Sequence, residues 1–159
     1  MNKFLKTVLL TALFVGTTDL VSAFLTVYVK TGKWFPLLLN YIAGGVLGLD
    51  RSMKGGNAVA LLGLFFHYFI AFSFTLFFFW IFRRIKFLSF NKYLIGMLYA
   101  VFVNLIMEQV VVRLSPLPNK PFDLAYSYIS WVILGVLFGI PIAYNAYKYY
   151  GIENSAGSA

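Results

Sequence analysis

Charge is almost absent from four stretches of this chain and gathers between them. Thr7–Val29 follows Lys3 and Lys6 and carries one charge, Asp19; Asn57–Phe82 carries none and stops at Arg83-Arg84. Tyr93–Val112 follows Lys92 and holds only Glu108, and Leu124–Tyr147 is uncharged. At about 1.5 Å of rise per residue, each run is long enough to cross a hydrocarbon core of about 30 Å. Backbone groups in lipid must satisfy one another, which leaves helices or a closed barrel. A barrel strand needs about ten residues of alternating hydrophobicity, and these runs are longer and apolar throughout. The pattern predicts an all-α polytopic membrane protein. Residues 1–150 form a single domain, a bundle of four transmembrane helices over about 7–29, 57–82, 93–112 and 124–147. A small, polar C-terminal tail, 151–159, is expected to be flexible.

The segment between the first two runs differs. Leu37–Leu49 is apolar but too short to span upright, Asp50-Arg51 closes it, and Gly44, Gly45 and Gly48 allow close approach or bending. An interfacial or re-entrant short helix is expected here, with an ordinary surface helix as the plainer reading. The first run also imitates a signal peptide, with a basic start, an apolar Val8–Val15 and small residues around Val21-Ser22-Ala23. Its continuation through Phe24–Val29 favours a retained helix. Pro116, Pro118 and Pro121 suit a stiff turn between the third and fourth runs. Pro141 predicts a kink in the last helix, and Tyr144, Tyr147, Tyr149 and Tyr150 fit an interfacial aromatic belt.

Composition strengthens the membrane reading. The 159 residues are 61% hydrophobic and 11% charged, and mean hydropathy is +0.83. A soluble domain of this size leaves about 30% of its unfolded surface exposed and could not hide that apolar content. There are no cysteines, so disulfides and thiolate chemistry are excluded. The net charge of +8 does not indicate nucleic acid, because Lys and Arg lie at the ends of apolar runs. With both termini inside, seven of the thirteen basic residues (Lys3, Lys6, Arg83, Arg84, Lys86, Lys92, Lys148) would be cytoplasmic and six outside. The dense Arg83-Arg84-Ile85-Lys86 cluster tips the expectation toward cytoplasmic termini. The expected partners are the lipid bilayer and either further copies of the chain or another membrane protein.

The few polar residues within the runs carry whatever chemistry there is. Gly16, Asp19 and Ala23 share a helical face in the first run, as do Gly63, His67 and Ala71 in the second. Gly96, Ala100, Asn104 and Glu108 recur at four in the third, and Trp131, Gly135, Gly139 and Ala143 in the fourth. Gly16, Gly63, Gly96, Gly135 and Gly139 are candidate sites of close helix packing. Counted from the end with the termini, Asp19 and Asn104 lie about 18 Å deep, and His67 and Glu108 about 22 Å. Charge at that depth costs at least about 2.5–3.5 kcal/mol, so these groups should face the bundle interior. Two readings stay open. Asp19, His67, Asn104 and Glu108 form either a buried polar layer that sets helix register, or a proton relay with His67 between the carboxyl groups. In the register reading, Asp19 pairs with His67 and Glu108 reaches Arg113. No H-E-x-x-H, G-x-S-x-G or P-loop pattern is present, so no enzyme and no cofactor are expected. One histidine without cysteine makes a metal site thin. The expected role is therefore structural or accessory, with a small proton-coupled transporter or channel component as the alternative.

On particular motifs the chain resembles the small uncharacterised bacterial inner-membrane proteins related to the YagU family. These motifs are Gly16-Thr17-Thr18-Asp19, Tyr41-Ile42-Ala43-Gly44-Gly45-Val46-Leu47-Gly48, Gly63-Leu64-Phe65-Phe66-His67 and Leu114-Ser115-Pro116-Leu117-Pro118. The resemblance covers roughly Val15 to Tyr144. It implies a retained first helix, an inner-membrane location and a recurring pattern that includes Asp19 and His67. It supplies no substrate, cofactor or mechanism.

Overall fold

The computed structural model describes residues 2–32, 36–118 and 130–151, and within them the regular structure is helical. Helix α1 covers Lys3–Thr31 and begins where the Asn2 side chain accepts the Phe4 N–H at 3.2 Å. Such a cap satisfies one of the amide donors that a helix start leaves unpaired. Gly32 ends the helix in the left-handed region, at φ 64°, and returns its N–H to the Tyr28 carbonyl at 2.8 Å. Helix α4 covers Gly56–Phe82, and a 3-10 turn at Lys86–Ser89 leads to α5, Lys92–Leu114. The α5 start repeats the device of α1, with the Asn91 amide oxygen accepting from Tyr93 and Leu94. Helix α6, Ser130–Tyr150, closes on Gly151 at φ 67°. Helices α1, α4, α5 and α6 are long and apolar enough to cross a membrane, which makes the chain a multi-pass membrane protein. The residues 124–129 that the sequence adds to the fourth span, and the tail beyond 151, lie outside the described residues.

Between α1 and α4 the short helix is present but divided. Helix α2 covers Pro36–Leu47 and α3 covers Leu49–Lys54. The break falls at Gly48, whose φ of 81° ends helical geometry without the penalty a side chain would carry. Leu39 lies against Gly63 while Gly44 meets Ser52, so α2 runs back alongside the first half of α4. It packs there on an apolar cluster of Leu20, Leu39 and Ala60. This is the packing of a half-length helix beside a spanning one.

The neighbour order is set by side-chain size. Helix α1 packs on α4 and on α6, and α6 packs on α5. Between α5 and α6 the approach is backbone to backbone: a Cβ on Gly96 would fall 2.6 Å from Ile140 Cα. Large aromatic rings separate α4 from α5, with Phe78 on Tyr99 at 4.6 Å and Phe77 stacked on Phe102 at 6.2 Å. Phe78 and Phe79 are fully buried with Val8, Val15, Ile95 and Ile142, whereas Phe77 and Trp80 face outward. The Phe77–Trp80 run is therefore half core and half lipid-facing surface, as its helical spacing requires. Exposed Leu10, Phe14, Leu61 and Phe65 belong to the outer face as well, where lipid is the solvent.

Candidate functional site

His67 reaches across from α4 to α1, where its Nε2 lies 2.8 Å from the Gly16 carbonyl oxygen. A carbonyl can only accept, so Nε2 carries the proton and donates it. Gly16 allows this approach because its absent side chain would otherwise press on the Tyr68 ring at 3.1 Å and on Ala71 Cβ at 3.2 Å. The Asp19 carboxyl lies one turn beyond Gly16 on α1, and among the described residues no hydrogen bond or ion pair joins it to His67. Beside them Thr17 and Tyr68 share a hydrogen bond of 2.8 Å. The Thr17 hydroxyl also lies 2.7 Å from the Leu13 carbonyl, which takes its proton, so Tyr68 is the donor to Thr17. One polar cluster thus joins α1 to α4.

Asn104 belongs to a different interface. Its Oδ1 accepts the Trp131 indole N–H at 2.8 Å, joining α5 to α6. Two turns away along the same pair of helices, Gly139 fits against the Gly96 carbonyl and Ala100, and Gly135 fits against the Met97 sulfur. Gly63 performs the same service between α4 and α2, where the Leu39 carbonyl occupies the place of a side chain. Glu108 is half-buried in α5, within a π-helical turn, Met107–Val111, in which the Val112 N–H reaches back to the Met107 carbonyl. Among the described residues no side chain hydrogen-bonds to Glu108 or forms an ion pair with it, Arg113 included. The structure therefore joins His67 to the Gly16 carbonyl and Asn104 to Trp131, and among the described residues does not bring the four predicted residues into one connected set.

A third link was not legible as a pair. Pro141 has no N–H to give the Leu137 carbonyl, four residues back. A second π-helical turn, Gly135–Gly139, precedes it in α6. The Thr18 hydroxyl of α1 lies 3.0 Å from that Leu137 oxygen, and within 3.2 Å of the Phe14 and Val15 carbonyls of its own turn. It has a single proton, and Leu137 is the acceptor that proline has deprived of its usual donor. Thr18 thus repairs the helix that Pro141 disrupts, a form of compensation known for proline in membrane helices. The signal in the sequence was Pro141 itself, since a mid-helix proline always frees a carbonyl. Which helix would answer it had to come from packing.

Tyrosines supply further cross-links of the same kind. Tyr99 donates to the Phe74 carbonyl at 2.6 Å, Tyr147 to Leu88 at 2.8 Å and Tyr150 to Phe79 at 2.8 Å. Asn40, on α2, is buried with its amide oxygen unpaired among the described residues. Clefts of about 590, 530 and 550 Å3 open in the half of the bundle where α1 begins and α6 ends. None of these is lined by Asp19, His67, Asn104 or Glu108. Among the described residues no group of three His, Asp or Glu side chains could hold a metal ion.

No protein-family model matches the chain, and neither a curated protein nor a solved structure matches it.

Proposed function

We propose that this chain is a structural or accessory membrane protein whose intramembrane polar groups fasten helices to one another. The observation that carries the reading is the division of those groups between separate interfaces. His67 serves α1 and α4, Asn104 and Trp131 serve α5 and α6, and Thr18 serves α1 and α6. A proton relay needs a continuous series of groups that both accept and release protons. His67 Nε2 instead donates to the Gly16 backbone carbonyl, which cannot take the proton onward. Glu108 has no hydrogen-bond or ion-pair partner among the described residues to continue the path.

The proposal extends to setting. The protein is a non-catalytic component of a bacterial inner membrane, and it acts as a homo-oligomer or beside a membrane partner. Its termini are cytoplasmic, a reading supported by the basic Arg83–Lys86 segment at the end where Phe4 packs on Tyr149. The YagU-like motifs around Asp19 and His67 are consistent with that setting, and the packing of Val8 and Val15 in the core supports a retained α1.

The test is proton flux into proteoliposomes under an imposed pH gradient, for wild type, Asp19→Asn and His67→Ala at matched reconstitution. All three should equal protein-free vesicles. Flux in the wild type that both variants lose would overturn this reading in favour of a small proton-coupled transporter or channel component.

A further inference from the structure

The end of the bundle where α1 begins and α6 ends carries cations that have no ion-pair partner among the described residues. Arg83 and Arg84 follow α4 directly, Lys3 opens α1, and Lys86 opens the 3-10 turn. Two clefts, of about 530 and 550 Å3, meet at this end and share Arg83, Tyr149 and Tyr150. The first adds Arg84 and Trp80, the second Lys3 and Lys86. Among the described residues no carboxylate stands here and no ion pair neutralises any of the four cations.

Each guanidinium group lies over an aromatic ring. Arg84 lies 4.0 Å from the centre of the Trp80 ring, and Arg83 lies 5.9 Å from that of Tyr150. Tyr150 is fixed in turn by its hydrogen bond to the Phe79 carbonyl. A cation–π interaction does not use the guanidinium N–H groups as hydrogen-bond donors, and a guanidinium can receive a phosphate through two parallel hydrogen bonds. Trp80 is 51% exposed and Phe87 59%, so apolar surface stands directly beside the cations. That combination belongs at the boundary between headgroups and acyl chains.

We infer that the paired clefts around Arg83 bind the phosphate of an anionic phospholipid headgroup, with its acyl chains lying along the exposed face of Trp80. Free phosphate shares the charge chemistry. The lipid is favoured because the cations sit at the end of membrane spans and next to exposed aromatic surface, where a phospholipid presents its phosphate at a fixed depth. The site is independent of Asp19 and His67, so it stands or falls apart from the structural role proposed above.

The experiment is native mass spectrometry of the full chain released from nanodiscs of equal phosphatidylglycerol and phosphatidylcholine. Wild type should retain phosphatidylglycerol preferentially. Arg83→Gln, which removes charge-assisted hydrogen bonds, should lower that retention by about tenfold. Arg83→Lys, which keeps the charge and loses the planar fork, should fall between the two. Lys54→Gln, at the end of α3 and beyond the far end of α4 from Arg83, is the control for net charge and should retain as much as wild type. Retention without preference in the wild type, or an equal loss in Lys54→Gln, would overturn the proposal. Displacement of the lipid by inorganic phosphate at comparable concentration would overturn the choice of a lipid.

Discussion

Replacing Gly96 by alanine sets two opposing effects against each other, and the structure determines which wins. Alanine is the better helix former by about 1 kcal/mol, so propensity alone predicts a more stable α5. A Cβ at this position, however, would stand 2.6 Å from Ile140 Cα, 2.7 Å from Ile140 N and 2.8 Å from the Gly139 carbonyl carbon. Unbonded carbons prefer about 3.5–4.0 Å, so α5 and α6 must separate by about 1 Å. All three obstacles are backbone atoms, and no rotamer change can relieve them. Overpacking of this type costs about 1–3 kcal/mol. If the helices part as rigid bodies, the 2.8 Å bond from Trp131 to Asn104 also stretches beyond hydrogen-bond reach. An interhelical bond in a membrane adds about 0.6 kcal/mol on average. The clash and the lost bond together outweigh propensity, and Gly96→Ala should destabilise the bundle by a net of about 0.5–2.5 kcal/mol. Reversible unfolding in mixed micelles with rising SDS fraction, followed by tryptophan fluorescence, measures this. Gly45→Ala supplies the contrast: its Cβ meets nothing within 4 Å, and it lies inside α2. That variant should match or slightly exceed wild type. A Gly96→Ala protein as stable as Gly45→Ala would refute the close α5–α6 approach.

Further outcomes follow from the interhelical bonds. Thr18→Val keeps the shape but removes the donor to Leu137, and should cost about 0.5–1.5 kcal/mol in the same titration, with Thr18→Ser close to wild type. Equal stability of the Val and Ser variants would show that Pro141 needs no help from α1. A double-mutant cycle of Asn104→Leu and Trp131→Phe should return a coupling of about 0.6–1.7 kcal/mol. A coupling of zero would place these side chains apart. The same cycle on His67→Phe and Asn104→Leu should be additive, since they serve different interfaces.

The four spans were readable because membrane insertion is a local demand. Each run had to be long and uncharged whatever it later touched, so α1, α4, α5 and α6 stand in the sequence without reference to one another. The division of the short segment was half legible: Gly48 marked a place where the chain could bend, and its φ of 81° is where it does. Small residues at Gly96, Gly135 and Gly139 advertised close packing but not a partner, because a glycine records the absence of a side chain and not what fills the space. Depth placed Asp19, His67, Asn104 and Glu108 at similar levels, and level is all that residue counting can provide. Lateral position comes from which helices touch. The bulk of Phe78 and Tyr99 between α4 and α5, against bare backbone between α5 and α6, puts His67 and Asn104 at different interfaces. The sequence by itself thus determined what crosses the membrane and which residues would be costly there. Only the tertiary structure decided the pairings: His67 with a glycine carbonyl, Asn104 with Trp131, and Thr18 with the carbonyl freed by Pro141. Those choices depend on rotation and approach of whole helices, which are fixed by the summed contacts of the bundle and by no residue alone.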